Sequence, residues 1–254
     1  MIYLFDIDGV LTDTGYDIDN KFKQWFIDWS MGKKYALVTG STLERTYEQI
    51  GHEITDGAML VANCMGNSIF QEGRSVTLNE FEFTAEEEKW LMDKVEESPF
   101  HIRAGQHIAS RPGSFNFSIV GRNATPEQRE EYKLYDQEHK ERISIAREFR
   151  QRFSRFDVFI GGDISVDICL RGAHKGQVFQ LLTTFLDGTE RLSFFGDKMG
   201  EWGIDEPLAG RMSLQPNCYA FEINEGFAET KHILKNIYEY VEHMDMLESE
   251  EEET

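Results

Sequence analysis

The pattern of apolar and polar positions changes rhythm twice along this chain. It opens on four apolar residues, Ile2 to Phe5, then turns acidic at Asp6 and Asp8, with Gly9 and Thr12 close behind. A short unbroken apolar run predicts a strand buried on both faces. Lys21–Trp29 next sets Phe22, Trp25, Phe26 and Trp29 at helical spacing, and Gly32 ends that helix. The stripe reads as a core face, not a binding platform. Tyr35–Val38 predicts a second buried strand, and Ser41 with Glu44 three residues on predicts a capping box opening a second helix. Strand, helix, strand, helix is the grammar of a parallel α/β sheet.

The rhythm shifts near Phe83. Thr84 and Glu87 form another capping box, predicting a helix through Lys94. Short strands are expected at His107–Arg111, Ser114–Val120, Val158–Gly161 and Ser165–Leu170. Thr125, Pro126 and Gln128 start one long charged helix toward Phe153. Residues 83–171 thus read as an α+β unit inserted in the first. The α/β grammar returns after Gly172, with a helix at Gln177–Leu186, a strand at Leu192–Phe195 ending in Gly196-Asp197, a strand at Cys218–Ile223 and a closing helix at Ala228–Tyr240. The expected core domain is discontinuous, residues 1–82 and 172–254.

Composition removes several classes. The chain carries 46 acidic against 26 basic residues, a net charge of −20, which argues against the basic face a nucleic-acid partner requires. The tail Glu248–Thr254 is expected to be a solvated end. No apolar run approaches the roughly 18–20 residues of a membrane span. Cys64, Cys169 and Cys218 are too scattered for a CxxC metal site and odd in number, so a reduced compartment fits. No basic region precedes the first strand, so no signal peptide is expected and the location is expected to be cytoplasmic.

Four polar signals fall where strands of the α/β unit end: Asp6 with Asp8, Thr39, Lys175 and Asp197. Ligands of an open parallel sheet sit beyond the carboxyl ends of its strands. Two acids one residue apart at a strand end share a direction and repel, so a cation or a chemical task is expected to use them. Acids, a hydroxyl and an ammonium gathered there suit a phosphate held by Mg²⁺, which prefers one or two carboxylates plus phosphate oxygen.

In this order the signals resemble the haloacid dehalogenase superfamily. Asp6-Ile7-Asp8-Gly9-Val10-Leu11-Thr12 matches its D-x-D-G-[TV]-x-[TS] motif. Val38-Thr39-Gly40-Ser41 resembles the second motif, Lys175 stands for the third, and Gly196-Asp197 followed by Asp205 for the fourth. The implied fold is an α/β, Rossmannoid parallel-sheet core with an inserted α+β cap of type II. The cap is similar to that of the eukaryotic-type phosphomannomutases. Gly113–Arg129 tracks G-x-x-N-x-S-x-x-G-R and a following E-x-R, Gly161–Asp167 matches G-G-x-I-S-x-D, Phe194–Lys198 matches F-F-G-D-K, and Gln49-Ile50-Gly51 fits Q-L-G.

The resemblance implies a Mg²⁺-dependent mutase that interconverts mannose or glucose 6-phosphate and 1-phosphate through an aspartyl-phosphate and a bisphosphate. Asp6 would be the nucleophile and Asp8 the general acid/base. Asp6, Asp8 through its backbone carbonyl, Asp197 and Asp205 would seat the metal. Thr39, Ser41 and Lys175 would hold the transferring phosphoryl. Arg111, Arg122 and Arg129 would grip the second phosphate, whose oxygens match the guanidinium fork, and Ser165 and Asp167 the sugar hydroxyls. The implied partners are a hexose phosphate, a hexose bisphosphate activator and a second copy joined through the cap, with no nucleic acid and no membrane.

Plainer readings stand beside these. The arginines could serve as salt-bridge partners of the glutamate-rich helix, and Ser165 and Asp167 as the polar face of a strand; His107 and His174 read as structural or exposed. The chain also departs from the family pattern at Gly15, where that family has arginine, and at Ile204, where it has asparagine. Ala173-His174-Lys175 stands for its W-D-K, and its E-N-G has no clear counterpart around Cys64–Asn67. A sugar-phosphate phosphatase on the same scaffold is the alternative enzyme. A catalytically silent binding protein is the third reading, and nothing in the motifs supports it because both leading aspartates remain.

Overall fold

A computed structural model describes residues 1–184, 186, 188–241 and 244; the acidic tail Glu248–Thr254 lies outside the described residues. Its strands in chain order are β1 (Ile2–Phe5), β2 (Lys34–Val38), β3 (Leu60–Asn63), β4 (Ser68–Gln71), β5 (Arg74–Thr77), β6 (Ile108–Arg111), β7 (Ser114–Phe117), β8 (Phe156–Ile160), β9 (Val166–Leu170), β10 (Leu192–Gly196) and β11 (Cys218–Glu222). The helices are α1 (Asn20–Ser30), α2 (Leu43–Ile50), α3 (His52–Gly57), α4 (Ala85–Glu97), α5 (Pro126–His139), α6 (Glu141–Arg152), α7 (Gln177–Thr183), α8 (Glu206–Met212) and α9 (Phe227–Lys235).

Seven strands form one sheet in the order β11-β10-β1-β2-β3-β4-β5. From β11 to β3 all pairs are parallel, while β4 and β5 add an antiparallel edge. Alternation along β1 explains why the opening run is apolar throughout. Tyr3 and Phe5 pack with Phe22 and Phe26 of α1 on one face, while Ile2 and Leu4 meet Val178 and Leu182 of α7 and Leu208 and Met212 of α8 on the other. Each such fully buried side chain contributes about 1.5–3 kcal/mol. A second, antiparallel sheet runs β6-β7-β9-β8 and packs on α4, α5 and α6 around Leu91, Tyr132, Phe149 and Phe156. A mixed α/β architecture with a parallel-rich sheet and a separate antiparallel one is therefore present. No helix among the described residues is long and apolar enough to cross a membrane.

Several local expectations shift. The cap of α2 is Thr42, which accepts from Arg45 N, while the Ser41 N–H is bound to Thr39 Oγ1 at 3.1 Å; Ser41 stays in the loop beyond β2 instead of capping. The long charged helix is two helices, broken at Lys140 in a left-handed conformation (φ 55°). Asp136 drives that break, because its carboxylate accepts from Arg142 N at 2.7 Å and Arg142 Nε at 2.8 Å and so serves the start of α6. The closing helix also leaves helical geometry at Asn236 before resuming at Ile237. The hairpin β4–β5 and the short α8 carry too little apolar periodicity to be expected. Every residue of β5 is exposed.

The two sheets meet at an apolar joint made by Met65, Phe159, Cys169, Ala173 and Ile204. Asn67, fully buried, ties it together: its Nδ2 donates to Cys64 O (2.9 Å) and Ala173 O (2.8 Å), and its Oδ1 accepts from Asn79 (3.0 Å) and Gln177 (3.2 Å). Ile160 N also donates to Trp202 O at 2.7 Å, joining the end of β8 to the loop after β10.

Candidate active site

A cleft of about 720 Å³ opens beyond the carboxyl ends of β1, β2 and β10, facing the second sheet. Asp6, Asp8, Ser41, Lys175 and Asp197 line one side, and Arg111, Arg122, Arg129, Ser165 and Asp167 the other. Ten of the twelve side chains expected from the sequence thus share one cavity. Thr39 and Asp205 are the exceptions, because both are buried behind it. Thr39 supports Ser41 from beneath, so its hydroxyl meets the loop and not the cleft.

β1 ends at Phe5, so Asp6 and Asp8 lie in the loop beyond it and strand alternation does not align them. Asp6 Oδ1 accepts its neighbour Ile7 N at 2.8 Å, and Oδ2 pairs with Lys175 Nζ at 2.9 Å. Asp8 Oδ1 accepts from Gly15 N at 2.7 Å and from Gln49 Nε2 at 2.9 Å. Gly9, at φ 75°, lets the loop turn under Asp197; a Cβ there would meet the Asp197 carboxylate.

The acids surround one buried ammonium. Lys175 is fully buried between Asp6 and Asp205, 2.9 and 2.7 Å away. Burial opposes its charge, yet those two carboxylates hold it protonated with a pKa above the ordinary lysine value. Asp205 is fully committed, since Oδ1 takes Lys175 and Oδ2 accepts from Asp197 N and Lys198 N at 3.2 and 3.1 Å. Burial pushes the Asp6 carboxyl well above the usual carboxylate range; Lys175 opposes the rise, and Asp205 and Asp197 add to it. Asp197 is pushed up to about 6, chiefly by burial, although Lys198 Nζ sits 2.5 Å away. Carboxylate oxygens of Asp6, Asp197 and Asp205 lie within 4.8 Å of one another. An all-oxygen, over-acidic cluster of this kind fits a hard divalent cation, which would relieve the repulsion.

The opposite wall is cationic. Arg111 Nη1 donates across the cleft to Gly40 O at 2.7 Å and reaches Asp167 Oδ1 at 3.4 Å. Arg122 Nη1 donates to Asn116 Oδ1 at 2.7 Å, and Asn116 Nδ2 donates to Asp167 Oδ1 at 2.8 Å. Arg129 is braced by Ala124 O and Arg122 O at 3.0 and 2.9 Å. Burial lowers the Arg122 pKa, and Arg111 and Arg129 lower it further. Mutually repelling guanidiniums with one carboxylate among them make an anion site. Gly161 lies so close to Asp167 that a Cβ would overlap its carboxylate. Arg142 Nη1 steadies the same loop through Gly162 O at 2.6 Å.

Sequence reasoning did not single out Gln49, Asn116 or Arg142. Gln49 and Asn116 lie inside quoted motifs, whereas the part of Arg142 that steadies the cleft loop carries no signal, because it meets the backbone carbonyls of Gly162 and Ser165, which folding brings near.

The chain matches eukaryotic phosphomannomutase over residues 23–239. It is 29% identical to the phosphomannomutase of Spinacia oleracea over 213 residues, covering 81% of this chain and 84% of that one. The figures for the Saccharomyces cerevisiae phosphomannomutase are 28% over 212 residues, 80% and 83%. Among solved structures, the C-terminal domain of Candida albicans trehalose-6-phosphate phosphatase superposes with a TM-score of 0.59 at 15% identity, over 84% of this chain and 73% of that one. IMP-bound Plasmodium falciparum IMP-nucleotidase gives 0.57 at 17%, over 94% and 68%. These likenesses establish a shared fold, and the matched region holds the arginine wall, Lys175, Asp197 and most of the sheet. The chain is a member of the eukaryotic phosphomannomutase family.

Proposed function

We propose that this enzyme is a Mg²⁺-dependent hexose-phosphate mutase that interconverts the 6- and 1-phosphates of mannose or glucose through a bisphosphate. The observation that carries the reading is the cleft itself, with Asp6 and Asp8 on one wall and three guanidiniums on the other. A mutase must hold two phosphates at once and exchange their places, so it needs an anion site opposite its nucleophile.

In this reading an Asp6 carboxylate oxygen attacks phosphorus of the bisphosphate and the P–O ester bond breaks. Asp8 gives a proton to the departing sugar oxygen, leaving aspartyl-phosphate and a hexose monophosphate. In the return step a hexose monophosphate carrying its phosphate at the other position enters. Its free hydroxyl loses a proton to Asp8 and attacks the aspartyl-phosphate, and the bond between phosphorus and Asp6 breaks to return the bisphosphate and the free carboxylate. Ser41 and Lys175 bind the transferring group, and Arg111, Arg122 and Arg129 the other phosphate. Ser165 and Asp167 meet the sugar hydroxyls. Mg²⁺ would be held by Asp6, the Asp8 carbonyl and Asp197, with Asp205 behind them on Lys175, and would supply charge neutralisation at the transferring phosphoryl. A second copy docks through the second sheet's unit, residues 83–171. Buried free thiols at Cys64 and Cys169 support a reducing, cytoplasmic setting.

The test is a steady-state assay of mannose 1-phosphate with Mg²⁺ and catalytic hexose 1,6-bisphosphate. Mannose 6-phosphate should accumulate to equilibrium, and its absence with and without activator overturns the reading. Steady release of inorganic phosphate with no isomer would instead support a phosphatase, the alternative that Gly15 and Ile204 motivate.

A further inference from the structure

The core wall of the cleft has a charge problem. A bound phosphate ester brings up to two negative charges beside Asp6, and apart from the Mg²⁺ proposed above the side-chain cations near it are already engaged. Lys175 is shared by Asp6 and Asp205, and Lys198 by Asp197. The guanidiniums of Arg111, Arg122 and Arg129 rise from the opposite wall, and Lys133 there is paired with Asp163 at 3.2 Å. Gly15, which lines the core wall, offers no side chain, and a Cβ there would meet nothing within 4 Å. The wall is open at that point.

Arg45 hangs over this opening. It lies in the first turn of α2, and its guanidinium reaches the loop that follows Asp8. Nη2 donates to Gly15 O at 3.1 Å, and Gly15 N in turn donates to Asp8 Oδ1 at 2.7 Å. Its acidic neighbours hold it weakly. Asp17 is 3.5 Å away with 73% of its side chain exposed, and Glu48 is 3.4 Å away with 69% exposed. Exposed pairs of that geometry are worth little and give way to a better partner. Arg45 lines the cleft, and its side chain is 36% exposed.

We infer that Arg45 is the core wall's own phosphate contact, binding the sugar phosphate seated near Asp6 and supplying from α2 the positive charge that position 15 lacks. The inference rests on the mutase reading for its ligand, a hexose bisphosphate, but its readout is binding and not turnover. A guanidinium on a phosphate forms charge-assisted, planar hydrogen bonds that an ammonium reproduces only in part.

The experiment is calorimetric titration of glucose 1,6-bisphosphate, with Mg²⁺, into the wild-type protein and into Arg45→Ala and Arg45→Lys. Arg45 is held by exposed ion pairs and one backbone carbonyl, so both variants should melt near the wild type and keep its Mg²⁺-induced thermal shift. The expected result is binding weakened about tenfold in Arg45→Ala, with Arg45→Lys in between. Arg45→Ala binding within about twofold of the wild type overturns the inference, as does a wild type that binds no bisphosphate. A wild type that binds bisphosphate but forms no isomer would reject the mutase reading while the Arg45 comparison still decides this contact.

Discussion

Gln49 Nε2 lies 2.9 Å from Asp8 Oδ1, joining residues 41 positions apart. The same nitrogen reaches Thr12 Oγ1 at 2.8 Å and Tyr16 O at 3.0 Å, so one amide clamps the whole turn that presents Asp8. Gln49 is buried in α2, the helix from which Arg45 lines the cleft. Asp8 is thus oriented from a helix that contributes nothing to the D-x-D-G motif.

Replacing Gln49 by Met keeps the bulk and removes the clamp. Turnover should fall about 10- to 100-fold through misplacement of Asp8, while KM stays within about twofold. Stability should drop by about 1–3 kcal/mol because the buried Thr12 hydroxyl and Tyr16 carbonyl lose a donor. Steady-state kinetics with parallel denaturant melts would check this. An unchanged turnover number removes Gln49 from the acid/base apparatus.

The acidic cluster makes a prediction about pH. Asp197 is raised to about 6 from an ordinary value near 4, and Asp6 is raised too, both mainly by burial. An acid with a raised folded pKa binds more protons folded than unfolded. Asp197 therefore subtracts stability as pH climbs from about 4 through about 6, and Asp6 subtracts in the same direction. Mg²⁺ offsets the loss where the carboxylates are ionised. The Mg²⁺-induced rise in Tm should be about 4–8 °C near pH 7.5 and less than half of that near pH 5. Asp197→Asn should raise the Tm of the metal-free protein near pH 7.5 and abolish the Mg²⁺ shift. A shift of equal size at both pH values speaks against a metal seat on these acids.

On the proposed reading, the arginine wall should separate phosphoryl transfer from isomerisation. Arg122→Ala removes a guanidinium whose pKa is already lowered by burial, Arg111 and Arg129, and frees Asn116 Oδ1. Isomerisation should fall about 100-fold or more, while hydrolysis of a small aryl phosphate, which has no second phosphate, should change about twofold or less. Equal losses in both assays would mean that Arg122 serves the fold and not the second phosphate.

Asn67 predicts where the two sheets come apart. Its side chain satisfies Cys64 O and Ala173 O, and Asn67→Ala would leave both carbonyls buried without that donor. The cost should be about 2–4 kcal/mol in urea melts, with proteolytic cleavage rising first in residues 78–82 and 171–176, the segments that cross between the sheets. Unchanged stability would show that the Met65–Phe159–Ile204 joint alone holds the arrangement.

Much of the site was legible because phosphoryl chemistry draws on few side chains in a set order. Asp6, Asp8, Lys175 and Asp197 each follow a strand or open a helix of a parallel sheet, and the rule that ligands lie beyond strand carboxyl ends brings them together without coordinates. Arg111, Arg122 and Arg129 lie within nineteen positions and stand out in a chain of charge −20. Thr39 shows the limit: a hydroxyl at a strand end can face the ligand or the loop beneath it, and here the Ser41 N–H claims it.

The amino-acid sequence by itself determined the alternation of α/β and α+β segments, the class of chemistry and most of the charged groups that carry it, because periodicity and local charge are properties of neighbours along the chain. Tertiary structure alone decided which wall each group occupies, the Gln49 clamp on Asp8, the break at Lys140 and the reach of Arg45 over Gly15. Those depend on contacts between residues from six to more than a hundred and sixty positions apart, where backbone carbonyls and open space matter as much as side-chain identity, and neither leaves a mark in the order of the residues.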